Sequence, residues 1–302
     1  YGDWSSDVCS SDLKRARANV FGDFTLLQLI HTGENGKLYR ALWKRKAREV
    51  ALRIFPKGFG SDRMLVRKLK ERLPQAANIH HENLVRLYCG GQYRDSKQRK
   101  RWFLVTEYMV GGSLRDRLAA RSQPLPVVDV VKFGIDIATG LRAAEQTGIR
   151  HRNVNPSCIL FDAEGQARLG DFLHARPETD GSIDATRTER PLAELVYHSP
   201  EQIRGQADLT PAADLYSLAV CMYEALTLRS PFPTAEQGVL ELVRAIREDR
   251  PPSPRKFNED IPPRLANLIL DTLAKAVERR PTCAEAFLDR LARTTENPAN
   301  GS

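Results

Sequence analysis

Apolar and polar residues alternate from about Phe21 to Tyr108, in the runs FTLLQLI, KLYRALW, EVALRIF, LVRLYCG and RWFLVTEYM, separated by Gly, Asn or charged tips. A period of two marks half-buried strands, so this part predicts a small sheet. One helix interrupts it. Ser61 or Asp62 is a suitable N-cap, Leu65, Leu69 and Leu73 recur at four-residue spacing, and Pro74 is expected to end or kink the helix. Proline lacks the amide donor and clashes with the preceding turn. From Gly112 onward the period becomes helical, in SLRDRLAAR, VVDVVKFGIDIATGLRAAEQTG, AADLYSLAVCMYEALTL, GVLELVRAIRE, PRLANLILDTLAKAV and CAEAFLDRLAR. The stretch between Ile149 and Gln202 keeps neither period. Strands first and helices afterwards predict an α+β protein with a small sheet lobe and a larger, mainly helical lobe.

Composition narrows the setting without naming a function. The chain has 302 residues, 41% hydrophobic and 28% charged, enough for two lobes around real cores. The longest apolar-rich run, LYSLAVCMYEAL at 215 to 226, contains Glu224 and is too short to cross a bilayer, so no membrane segment is expected in this chain. The net charge of +8 does not by itself choose a partner, and no nucleic-acid motif accompanies it. The basic clusters WKRKAR and KQRKR read first as solvated hairpin tips, with an anionic docking patch as the alternative. Five cysteines without a CxxC pair fit a reducing, cytoplasmic setting. Residues 1–13, YGDWSSDVCSSDL, resemble one translated frame of a sequencing-library adapter and are set aside as an artefact, with 14–18 read as a leader and 294–302 as a tail.

The order of short motifs carries the chemistry. HTGENGKLY (31–39) lies between two strand-like runs, VALRI (50–54) in the next, and EYM (107–109) at the junction of the two patterns. HRNVNPSCIL (151–160) follows a long helix, and GDFL, SPE, DLYSL and RRP come after it. In this order the motifs resemble the protein kinase family over residues 19–293, with a sheet lobe at 19–109 and a helical lobe at 110–293. The resemblance implies a two-lobed kinase fold, ATP as the nucleotide, and magnesium as its metal.

It also implies jobs for single positions, some of them now held by the wrong chemistry. Gly33 and Gly36 match two phosphate-loop glycines, while His31 replaces the first. Leu38, Ala51 and Leu160 match the adenine lining, Thr106 the residue behind it, and Glu107 to Met109 the hinge. Arg53 stands where the phosphate lysine is expected, and Arg72 where its glutamate partner belongs, with Glu71 one residue away. In the catalytic loop Asn153 replaces the base, Asn155 the phosphate lysine and Cys158 the second metal ligand, so Cys158 is expected to pack as a small hydrophobe. An amide cannot accept a proton as a carboxylate does, and a soft thiol is a poor ligand for hard magnesium. Asp171 matches the remaining metal ligand, Leu173 replaces the glycine after Phe172, and Glu194 replaces a threonine expected beside the base.

His151, Arg152, Phe172, Glu201, Asp214 and Arg280 match positions of architectural role, Glu201 and Arg280 as a buried ion pair. Thr179, Ser182, Thr186 and Thr188 lie in the 171–201 segment and read first as solvated loop residues, with a phosphate there that pairs with Arg152 as the alternative. Preserved architecture with altered chemistry reads as a pseudokinase, a nucleotide-holding regulatory or scaffold module with other proteins as partners. Two readings stay open beside it: a weakly active ATP-dependent serine/threonine kinase, and a docking protein that binds no nucleotide.

Overall fold

The computed structural model describes residues 20–33, 36–61, 63–94, 99–172, 176–177, 192–234 and 237–295. The adapter-like segment, the leader, Leu173, Thr179, Ser182, Thr186, Thr188 and most of the tail lie outside them, as do the side chains of Leu65, Leu69, Arg72 and Leu73. The described residues form two compact units. One takes those up to Leu73 together with Leu87–Tyr108; the other takes Pro74–Arg86 and those from Met109 onward. This is the α+β arrangement that the two periods predict, a small antiparallel-sheet lobe and a larger, mainly helical one.

The first unit is built on strands β1 (Val20–Phe21), β2 (Phe24–Gly33), β3 (Gly36–Trp43), β4 (Arg48–Ile54), β5 (Leu87–Arg94) and β6 (Lys100–Glu107), in the sheet order β1-β2-β3-β4-β6-β5. Alternation sends Ala41, Val50, Leu52 and Val105 to one face, where they close a core with Phe21 and Phe24. The described residues of the two basic clusters fall at opposite ends of this sheet. Lys44–Lys46 lies beyond the Trp43–Arg48 pair, whereas Lys100 and Arg101 lie past the far end of β4, where Ile54 meets Phe103.

Of the two outcomes expected at Pro74, an end or a kink, the end does not occur, since helix α1 (Arg63–Asn78) runs past it. Proline deletes a single amide donor, and the amides from Gln75 onward still have carbonyls one turn back, so the exposed Pro74 weakens the helix without stopping it.

The second unit contains α2 (Leu114–Ala119), α3 (Val127–Gln146), α4 (Pro200–Arg204), α5 (Pro211–Thr227), α6 (Val239–Glu248), α7 (Pro263–Thr272) and α8 (Ala284–Thr295). Two small ladders join them, β7 (Ile149–Arg150) with β10 (Arg176–Pro177), and β8 (Ile159–Phe161) with β9 (Ala167–Leu169). The apolar-rich run at 215–226 is the middle of α5, a helix buried on nearly every side and packed on α3, α7 and α8. Helix α7 stops at Thr272, although its apolar pattern continues to Val277. The chain turns there because Arg280 takes the carbonyls of Ala274 and Lys275 at 2.6 and 3.2 Å.

Candidate functional site

Directly opposed residues of an antiparallel pair project from the same face. The register pairs Leu38 with Arg53 and Arg53 with Leu104; one step along the same face it pairs Arg40 with Ala51 and Ala51 with Thr106. Leu38, Ala51, Arg53 and Thr106 are thus brought together on one face of the sheet. Glu107 pairs with Val50 and falls on the opposite, core-forming face. Arg40 holds Glu49 through two hydrogen bonds of 2.8 Å. Gly33 and Gly36 pair with each other at the tip of the β2–β3 hairpin. At Gly36, with φ 96°, any side chain would overlap the Ile54 carbonyl, so glycine is required there by geometry. Glu71, mostly exposed, lies 3.3 Å from Arg67 on α1.

In the second unit the catalytic loop is held from below. The Asp214 carboxylate on α5 accepts the backbone amides of His151 at 2.9 Å and Arg152 at 2.7 Å. Burial pushes this carboxyl upward in pKa, and His151, the two amides and Arg150 oppose that push. Arg152 has a left-handed backbone, φ 63°, which a branched chain of donors to Asp214 and a bond from Gln202 to the Arg152 carbonyl (2.9 Å) keep in place. The His151 ring bonds the Gly170 carbonyl at 2.8 Å and meets the Phe172 ring edge-on at 4.7 Å. Asp171, between them, is also left-handed at φ 62°. The Arg152 guanidinium is buried and reaches the Ala207 carbonyl at 3.5 Å.

The three substituted loop positions are buried, and the side chains of two of them bond each other and the main-chain carbonyl of Asn153. Asn153, Asn155 and Cys158 are 7%, 2% and 2% exposed. The Asn155 amide donates to the Asn153 carbonyl at 3.1 Å and to the Cys158 sulfur at 3.3 Å, and the Cys158 thiol donates to that same carbonyl at 3.3 Å. The Asn155 side-chain oxygen accepts the Ser157 amide at 2.9 Å. Cys158 therefore packs in the core with a polar contact as well. Leu160 pairs with Arg168 across the β8–β9 ladder and touches Gly170, while Met109 is buried. Glu194 lies half-buried in a short 3-10 helix, and its carbonyl is 3.0 Å from the His198 ring.

Glu201 and Arg280 meet in full burial. Their side chains are 4% and 0% exposed, with the guanidinium donating to both carboxylate oxygens at 2.8 and 3.0 Å. The Tyr216 ring lies 4.9 Å below that guanidinium.

The family model of the protein kinase domain matches residues 24–291. The chain belongs to the protein kinase family. Among curated relatives of this kinase-family chain, serine/threonine-protein kinase PknL of Mycobacterium tuberculosis is 32% identical over 264 residues, covering 87% of this chain and 62% of that protein. PrkC of Bacillus subtilis is 29% identical over 266 residues, covering 88% and 39%. A probable serine/threonine-protein kinase of Clostridium perfringens is 30% identical over 275 residues, covering 91% and 38%. The chain thus spans less than two thirds of the length of these relatives, and under two fifths of the Bacillus and Clostridium proteins. Among solved structures, a double mutant of the Mycobacterium tuberculosis PknI kinase domain superposes with a TM-score of 0.71 at 21% identity, over 92% of this chain and 97% of that one, a likeness of fold.

Sequence reasoning singled out the loop positions one by one but missed their mutual bonds, because side chains two to five residues apart in an irregular loop have no fixed geometry. It also gave no role to His31, whose facing depends on a bulge in the β2–β3 register.

Proposed function

We propose that the chain is a kinase-fold pseudokinase, a module that holds a nucleotide and regulates or scaffolds other proteins while transferring phosphate poorly if at all. The observation that supports this best is the Asn153–Asn155–Cys158 mesh. The residues at the positions that the family pattern assigns to proton acceptance, phosphate contact and metal ligation are here buried, and the side chains of Asn155 and Cys158 are spent on each other and on the main-chain carbonyl of Asn153. Losing a positioned base alone typically costs ~10²- to 10⁴-fold in rate.

The residues fit the two implied small molecules unequally. A nucleotide suits the sheet face, where Leu38, Ala51 and Thr106 supply apolar and small contacts and Arg53 a fixed positive charge. ATP, when bound, would bring the phosphoryl group that an active kinase transfers. Magnesium suits the site poorly, because the second ligand position holds a buried, soft thiol already bonded to Asn153, and Asp171 is left as the carboxylate.

Retention of Asp171 and of a cation at Arg53, with the serine/threonine kinase relatives, favours the weakly active kinase as second reading. Positioning and charge carry much of phosphoryl transfer, so a missing base does not by itself abolish it. Thermal unfolding of the full chain against ATP, with and without Mg²⁺, tests nucleotide holding. A metal-independent rise is expected, about 2.7 kcal/mol of stabilisation at a hundredfold excess over Kd. An unmoved midpoint at millimolar ATP contradicts it and leaves the docking protein. No helix among the described residues is long and apolar enough to cross a membrane.

A further inference from the structure

His31 stands where the family pattern has a glycine, and its placement assigns it a task that rests on the nucleotide-holding reading. The β2–β3 register slips between Leu29 and His31, making Ile30 the extra residue and setting His31 opposite Leu38. Without this bulge Ile30 would oppose Leu38, and His31 would project from the other face, since a one-residue slip exchanges the two faces of a strand. With it, His31 joins the cross-strand row His31, Leu38, Arg53 and Leu104, on the face that also carries Ala51 and Thr106.

The imidazole is folded along the strand toward the hairpin tip. A side-chain carbon placed on Gly33 would lie 2.8 Å from His31 Nε2 and 3.5 Å from Cδ2. The absence of a side chain at Gly33 therefore makes room for the His31 ring, and whatever approaches that face of the tip meets an imidazole edge before bare backbone. Among the described residues, the strands of that face present Arg40, Arg53, Arg94 and Lys100 against one carboxylate, Glu49, which Arg40 holds at 2.8 Å. Lys37, next along β3, adds positive charge on the opposite face. The surroundings favour an anion.

We propose that His31 contacts the polyphosphate of a bound nucleotide, its ring N–H substituting for the amide donors that close approach over a glycine supplies. His31 and Arg53 would then select nucleotides that carry β- and γ-phosphates over the bare nucleoside. The test is calorimetric titration of the full chain with ATP, ADP and adenosine at one pH, without metal, for the unaltered protein, His31→Leu and His31→Gln. Loss of one charge-assisted contact predicts about tenfold weaker ATP and ADP binding in His31→Leu. Adenosine affinity stays within about twofold, as expected when the lost contact is confined to phosphate, and His31→Gln, which keeps a donor, recovers most of the ATP affinity. An equal fall for ATP and adenosine would mark a structural role and overturn the proposal, as would ATP binding that is unchanged or tighter in His31→Leu. If the unaltered chain binds neither ATP nor adenosine, the nucleotide-holding reading fails first and this proposal with it.

Discussion

At the scale of single residues, Arg280 is the most heavily invested side chain described. It spends its donors on both Glu201 oxygens and on the carbonyls of Ala274 and Lys275, above the Tyr216 ring. Glu201→Gln would leave a buried guanidinium without its counter-charge, and denaturant unfolding should show a loss of ~3 to 5 kcal/mol. The Tyr216 hydroxyl beneath it is fully buried and has no hydrogen-bond partner among the described residues. Removing an unsatisfied buried group relieves a cost of ~1 to 3 kcal/mol, so Tyr216→Phe should raise the unfolding midpoint, and a fall would show that the hydroxyl has a partner. Motif spacing made Glu201, Arg280 and Asp214 stand out in the sequence, because each sits beside a proline, glycine or apolar run of fixed order. Bonds such as Asn155 to Cys158 were not legible, since they depend on loop backbone angles such as the left-handed turn at Arg152.

At the scale of elements, periodicity located most strands and helices and missed where they stop. Pro74 reads as an end or a kink, and α1 continues through it to Asn78. Pro74→Ala restores one amide donor in an exposed helical position, and hydrogen exchange in the last turn of α1 should slow, by up to about 3 kcal/mol of local opening free energy. Unchanged exchange would mean that the turn is held by other contacts. The end of α7 was hidden for a different reason: the pattern LAKAV stays apolar while the chain leaves the helix to serve Arg280 and α6. There Lys275 donates to the carbonyls of Ala245 and Ile246 at 3.0 and 2.6 Å, over the Phe232 ring at 4.1 Å. Burial first, then Arg280 and Arg204, push its amine down to about 7, against the pull of Asp249. Between about pH 7 and the ordinary lysine range the unfolded chain holds a proton that the folded one has released, so this group's contribution to stability rises with pH across that window. Lys275→Met should flatten that rise in the unfolding midpoint, and an unaltered slope would assign it to other groups.

At the scale of the whole molecule, the fold class was legible because sheet period, helix period and motif order all pointed to one architecture, and the kinase-domain match over residues 24–291 agrees. What letters alone left open is whether altered motif residues still reach outward. In the 151–158 loop Asn153, Asn155 and Cys158 are buried, at 7%, 2% and 2% exposure, and the Asn155 and Cys158 side chains bond each other and the main-chain carbonyl of Asn153. On the sheet face the apolar lining and Arg53 are assembled in adjacent rows. The reading we propose on these grounds is a domain that keeps a nucleotide face and whose transfer loop is closed. Incubating the full chain with γ-labelled ATP and divalent metal, beside Asp171→Ala, tests this most directly. The account predicts phosphate incorporation into the chain and a generic protein substrate no greater than in Asp171→Ala; transfer by the unaltered chain that Asp171→Ala abolishes would contradict it.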